Sequence, residues 1–184
     1  MDRRQKKTRQ AVYGAFTGLL AEKAYSAITV QEILDRANIG RSTFYAHFET
    51  KGDLLRSLCA EIFEHVFSEE LQKETTHDFS GVHGTRAMIT HILFHLQEHM
   101  AYLPGMLSGE SGEIFMDAFK GHLKELFSRA GGAPGHSVPR DYMLNHMVCD
   151  FAETVRWWAR NRQYSPEEIS AFFLETTPLL ESQA

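Results

Sequence analysis

Cysteine is nearly missing from this chain: Cys59 and Cys149 are the only two in 184 residues, and no Cys-x-x-Cys spacing occurs. Neither a disulfide framework nor a zinc ribbon is indicated, and two packed thiols are expected. Long hydrophobic runs are missing too, the longest being four residues, against the roughly 20 that a membrane-spanning helix needs. The basic start (Arg3, Arg4, Lys6, Lys7, Arg9) is followed by an amphipathic stretch interrupted by Glu22 and Lys23, not by the apolar core of a signal peptide. Cytoplasmic placement without a membrane partner is the expectation. A Gly-x-Ser-x-Gly elbow, a phosphate loop and a dinucleotide fingerprint are all absent. The run Gly131-Gly132-Ala133-Pro134-Gly135 contains a proline and follows no strand, so it reads as a linker. No enzymatic activity and no cofactor are expected. Strand-like alternation and internal repeats are lacking as well, which leaves an all-α chain of about nine helices.

What is present is a globular composition, 43% hydrophobic, with an uneven charge. Residues 1–56 hold ten Lys/Arg against six Asp/Glu, and residues 57–184 hold nine against eighteen. The first segment is therefore +4 and the remainder −9, which gives the net −5. A basic segment attracts phosphate whatever the base sequence, and an acidic remainder is repelled by a duplex, so the asymmetry orients an encounter with nucleic acid.

The stretch Thr29 to Leu55 is the most informative. Thr29 and Glu32 form a capping box ahead of a short helix whose Val30 and Ile33 face inward. After Ala37, Asn38 tolerates the left-handed exit from that helix, Ile39 plugs the corner and Gly40 lets the chain turn again. A second short helix, about Arg41 to Phe48, sends Phe44 and Phe48 to the core at i and i+4. Its other side carries Arg41, Ser42, Thr43, Tyr45 and His47, groups able to hydrogen-bond a phosphate or a base edge. Thr50 and Asp53 frame a third helix start, where free N–H groups and Lys51 converge on a natural phosphate position.

With the Arg/Lys-rich helix before it, this stretch resembles the DNA-binding domain of TetR/AcrR-type transcriptional regulators over some fifty residues. Two departures stand out: Asn38 where the family often has Gly, and Gly40 where it often has Ser or Thr. Both suit the backbone required, Asn by accepting the left-handed region and Gly as a tolerable N-cap. The resemblance implies an all-helical homodimer with an amino-terminal helix-turn-helix domain, residues 1–56, and a ligand-binding, dimerising helical domain, residues 57–184. It also implies phosphate or base contacts by Thr29, Arg41, Ser42, Thr43, Tyr45, His47 and Lys51. Repression, relieved by a small and largely apolar effector, is a family expectation, and a DNA-binding regulator without such an effector remains the alternative.

Elsewhere the first helix spans about Arg4 to Lys23, with Val12, Phe16, Leu19 and Leu20 inward. A helix from Gly52 to about Glu74 carries Leu55, Leu58, Ile62 and Val66 and is long enough to couple the two halves. A loop at Thr75 to Gly84 precedes a helix from Arg86 to Leu103 that ends at Pro104-Gly105. Further helices are expected at about Glu113 to Arg129 and Arg140 to Arg162. Ser165-Pro166-Glu167-Glu168 then launches a last one, to about Leu180.

The resemblance assigns dimerisation to the last two helices. Ile169, Phe172, Phe173, Thr176, Leu179 and Leu180 make a broad apolar stripe, matched on the preceding helix by Met143, Met147, Phe151 and Val155, with Trp157 and Trp158 near its end. A twofold four-helix contact follows, and with it a pseudo-palindromic operator whose half-sites lie roughly 34 to 36 Å apart or a multiple of that. Met88, Ile92, Leu96, Met100, Phe115, Phe119, Leu123, Phe127 and Trp158 either line an effector pocket, with His95, or fill a core. His91, His95 and His99 repeat at i, i+4 and i+8, a ladder open to a metal-responsive reading with Asp150, His146 or Cys149 nearby. Within the ladder itself there is no His-Glu-x-x-His or Glu-x-x-His signature, and no metal is assigned.

Overall fold

The computed structural model describes residues 3–67, 85–129 and 138–177. Among these residues every regular element is helical. In chain order they are α1 (Arg3–Glu22), α2 (Val30–Ala37), α3 (Arg41–Tyr45), α4 (Lys51–Phe67), α5 (Thr85–Glu98), α6 (Leu103–Met106), α7 (Glu110–Arg129), α8 (Arg140–Trp158) and α9 (Pro166–Thr176), with a 3-10 turn at Tyr25–Ala27. The helices form two compact units, Met1–Ile62 with Met100–Phe115, and Phe63–His99 with Met116–Ala184. Of the described helices, none is long and apolar enough to cross a membrane.

In the first unit α1 supplies the core wall that its periodicity predicts: Val12 and Phe16 are fully buried, Leu19 and Leu20 nearly so. It packs along α2 and α6. The α6 contact depends on glycine, because a Cβ on Gly105 would sit 2.0 Å from the backbone oxygen of Leu20. Burial on α4 adds Leu54, Leu55, Leu58 and Cys59 to the same core. The Cys59 thiol lies 3.9 Å from Met106 Sδ, and burial pushes its pKa up to about 12.

The second unit is built around α9, which packs along α5 and against α8. Ser165 and Glu168 close a capping box that starts α9, with Pro166 in its first turn. Thr90 on α5 donates to Ser170 on α9 at 2.8 Å, so the polar pair inside this contact is satisfied. Phe151 anchors the aromatic core, 4.9 Å from Phe173 and 6.1 Å from both Phe119 and Phe127 between ring centroids. The Trp158 indole N–H donates to the Tyr164 carbonyl at 2.9 Å, tying the end of α8 to the turn before α9.

Several boundaries differ from those read along the sequence. The fifth helix stops at Glu98 rather than Leu103, and Pro104-Gly105 lies inside the first turn of α6 instead of terminating its predecessor. Proline lacks an N–H and has a preset φ, so it starts a helix as readily as it ends one. α7 begins at Glu110, three residues early, and α8 ends at Trp158. The expected loop at residues 75–84, the continuation of α4 to Glu74, the linker at 131–135 and the end of the last helix fall outside the described residues.

Candidate nucleic-acid interface

α2 begins as its residues dictate. Thr29 Oγ1 accepts from the Glu32 backbone N–H at 3.3 Å, and Glu32 Oε2 accepts from the Thr29 N–H at 2.9 Å. Lys23 pairs with the same carboxylate. Those bonds hold the Glu32 carboxyl down to a pKa of about 2, with Lys23 contributing most and Thr29 after it. At the other end Asn38 takes φ 53°, ψ 51°, the left-handed cap that closes the helix, and it is the one non-glycine residue with positive φ among those described.

Gly40 precedes α3 in extended conformation and offers no side-chain cap. α3 itself is a single five-residue turn; the backbone N–H of Phe48 still reaches the Phe44 carbonyl at 2.9 Å, so the i, i+4 register survives past the formal helix end. Phe44 is fully buried and Phe48 is 3% exposed, their rings 5.6 Å apart. This pair clamps the underside of α3. Arg41, Ser42, Thr43 and Tyr45 are all exposed on the outer side, and His47 is half-buried. Tyr45 keeps 48% of its surface while its ring stands edge-on to Phe44 at 5.4 Å, which fixes where the phenol points.

The remaining expected contacts, Thr29 and Lys51, are otherwise engaged. The Thr29 hydroxyl serves the capping box in both directions, donating to Glu32 Oε2 at 2.9 Å. Lys51 Nζ donates to the backbone carbonyls of Tyr25 and Ile28 at 2.9 and 2.7 Å and sits 4.1 Å from the Tyr25 ring centroid. Desolvation lowers its pKa below the usual lysine value. At the α4 start, Thr50 Oγ1 accepts from the Asp53 N–H at 3.0 Å, and Arg56 pairs with the Asp53 carboxylate. Arg9, counted with the basic start, is folded inward: its guanidinium donates to Tyr13 and Ser57 at 2.5 and 2.6 Å and lies 5.4 Å from the Phe48 ring centroid. Arg3, Lys6 and Lys7 stay exposed.

One neighbour of the outer row escapes a reading of the sequence. Gln31 on α2 accepts from Arg41 Nη2 at 3.0 Å and donates to Asp35 at 2.8 Å, so it steers the first cation of α3. Nothing local in the sequence marks a glutamine two residues after a cap; the signal is its position opposite Arg41 across the turn.

The residues named for a pocket divide between the units. Met100 and Phe115 belong to the first, whereas Met88, Ile92, His95, Leu96, Phe119, Leu123 and Trp158 belong to the second. All but the half-buried Met88 are buried. The expected dimer stripe also divides. Phe151, Val155, Ile169 and Phe173 are 0 to 1% exposed and Met147 9%, covered by their own chain, chiefly because α9 lies between α5 and α8. Phe172 and Thr176 are exposed and Met143 half-exposed, while Leu180 falls outside the described residues.

A capped helix, a left-handed turn and a second short helix with a buried phenylalanine pair under an exposed polar row define a helix-turn-helix protein, helical throughout its described residues. Comparison with known proteins gives the same class. The family profile of bacterial regulatory proteins of the tetR family matches residues 9–58. A crystal structure of a TetR transcriptional regulator from Streptococcus agalactiae 2603V superimposes with a TM-score of 0.73 and 31% identity, covering 96% of each chain. Among curated proteins, the uncharacterized HTH-type transcriptional regulator YxbF of Bacillus subtilis is 44% identical over 71 residues, 36% of this chain and 19% of that protein. The dhaKLM operon transcriptional activator DhaS of Lactococcus lactis is 30% identical over 95 residues, 52% of this chain and 46% of that one. The matches thus span less than half the length of either curated relative. The chain belongs to the tetR family of bacterial regulatory proteins.

Proposed function

We propose that this chain is a sequence-specific DNA-binding transcriptional regulator that reads a pseudo-palindromic operator as a homodimer. The observation that carries the reading is the exposed row Arg41, Ser42, Thr43 and Tyr45, held rigid from below by Phe44 and Phe48. Arginine and hydroxyl groups on a helix of this size fit the major groove, where they donate to purine acceptors and phosphates. His47 lies at the edge of the same row. Thr29 and Lys51 act mainly by holding α2 and α4 in place, with their contact to phosphate secondary.

The dimer contact centres on α8 and α9. Trp157 stacks on Tyr164 at 5.6 Å, Tyr164 meets Phe172 edge-on at 5.3 Å, and Trp157 and Phe172 remain 45% and 41% exposed. With Met143, Thr176 and the 64% exposed Tyr142, this is the aromatic surface that a second copy covers. A small, largely apolar effector held in the second unit by residues such as Ile92, Leu96, Phe119 and Leu123 relieves repression by favouring the DNA-incompetent state. Activation is a second reading, favoured by the name of the Lactococcus relative.

Selection from a random duplex library, followed by gel shifts at increasing salt, tests the core of the proposal. A recovered motif with twofold symmetry and an affinity falling steeply with salt is expected. Failure to enrich any duplex would overturn it. A promoter-reporter fusion carrying the selected motif separates repression from activation.

A further inference from the structure

The histidine ladder on α5 acquires a partner that its sequence spacing does not reveal. His65, on the last turn of α4, faces His95, and Glu98 lies beside both; one ligand atom from each falls within 4.8 Å of the others. We propose that His65, His95 and Glu98 form a binding site for a single divalent transition-metal ion of the zinc class.

Three geometric facts support it. First, the separations that now carry a hydrogen bond and an ion pair are also those of ligands around one metal ion. His95 Nδ1 is 3.2 Å from His65 Nε2, His65 Nε2 is 3.4 Å from a Glu98 carboxylate oxygen, and His95 Nδ1 is 3.9 Å from the other oxygen. A tetrahedral ion with bonds of about 2.0–2.1 Å has ligand-to-ligand edges of roughly 3.3–3.4 Å. The two nitrogen-centred edges already match, and a carboxylate that is 55% exposed has the freedom to close the third. Second, the spacing His95-x-x-Glu98 puts both groups on one face of α5, so two ligands are preset by a single helix. Third, the site is asymmetric. His95 is 3% exposed, whereas the His65 side chain is 42% exposed, so the fourth position opens toward solvent and can take a water or an acidic effector group.

Ligand chemistry selects the ion. Two imidazoles with one carboxylate suit zinc, nickel, cobalt or copper; magnesium and calcium prefer all-oxygen shells. Coordination through His65 Nε2 and His95 Nδ1 would replace the hydrogen bond between those two atoms and leave the remaining ring protons on His65 Nδ1 and His95 Nε2. The edge of the His91 ring packs against His95, with centroids 4.5 Å apart, which limits rotation of the buried ligand. This inference uses only residues of the second unit and stands whether or not the chain binds DNA.

The test uses the full chain without an affinity tag, stripped with a chelator. Cobalt(II) is titrated with visible absorption as readout, followed by displacement with zinc. The variants are His65→Gln and Glu98→Gln, both at partly exposed positions, with His146→Gln as control for adventitious surface binding, since His146 and Asp150 make an exposed i, i+4 pair on α8. The expected result is one equivalent of cobalt with the intense bands of tetrahedral coordination. Each of the two site variants should weaken binding by more than about tenfold, since loss of a ligand costs at least what loss of an outer-shell partner does, and His146→Gln should leave it unchanged. Absence of stoichiometric binding in the wild-type chain would overturn the proposal. So would unchanged affinity in either site variant, or equal competition by magnesium.

Discussion

Lys51 and Tyr25 are joined twice: the ammonium donates to the Tyr25 carbonyl at 2.9 Å and lies 4.1 Å from the centre of its ring. A further bond to Ile28 makes this lysine the strap between the first turn of α4 and the segment that leads into α2. This structural role stands beside the phosphate contact expected of the same side chain. Lys51→Ala should cost about 1–2 kcal/mol of stability, the scale of charge-assisted hydrogen bonds at a partly exposed site, read by denaturant unfolding, and should weaken DNA binding as a consequence. Tyr45→Ala, by contrast, should leave stability within about 0.5 kcal/mol and lower operator affinity at least about tenfold. Equal stability losses in the two variants would contradict this division of labour.

Gly105→Ala is expected to be among the most damaging single-methyl changes. The new Cβ would meet a backbone oxygen at 2.0 Å, and backbone cannot swing aside as a flexible side chain can. A loss of about 3 kcal/mol, or roughly 6–12 °C in Tm, should follow. A calorimetric scan measures it directly.

Part of the acid sensitivity should come from the α2 cap. The Glu32 carboxyl titrates at about 2 in the folded chain against 4.5 ordinarily. Its folded value is depressed, so its contribution is complete above the ordinary value and disappears as the pH falls through the folded one. Glu32→Gln should thus be less stable than the wild-type chain at neutral pH, and the gap should narrow between 4.5 and about 2. Unfolding curves at a series of pH values provide the check; a gap independent of pH would refute the assignment.

Phe172→Glu places a charge in the exposed aromatic surface of α9 without touching the core, where Phe173 and Ile169 are already covered. Light scattering coupled to size exclusion should show a monomer of unchanged helicity, and operator binding should lose its steep cooperative form. A dimer that survives the substitution would move the interface elsewhere.

The parts of this molecule that could be read from the sequence are those decided by neighbours within one turn. Thr29 with Glu32, Asn38, Phe44 with Phe48 and Ser165 with Glu168 each act through contacts a few residues apart, and each stands in the structure where its pattern places it. What escaped depends on distant partners. The stripe Ile169, Phe173, Phe151 and Val155 announces a covered face, yet periodicity does not say whether the cover is α5 or another chain. Pro104-Gly105 reads as a stop until Leu20 shows why a glycine is needed there. Likewise His65 belongs to no motif; only folding carries it to His95, and the pair His95-x-x-Glu98 reverses the order of the familiar acidic signature.

The Cys59 thiol stays protonated far above neutral pH, walled in beside Met106. A protonated sulfur is a feeble nucleophile toward peroxides, disulfides and electrophilic drugs. Covalent redox or electrophile chemistry at this sulfur is therefore disfavoured, and Cys59 serves the first unit as an apolar packing group rather than as a reactive thiol.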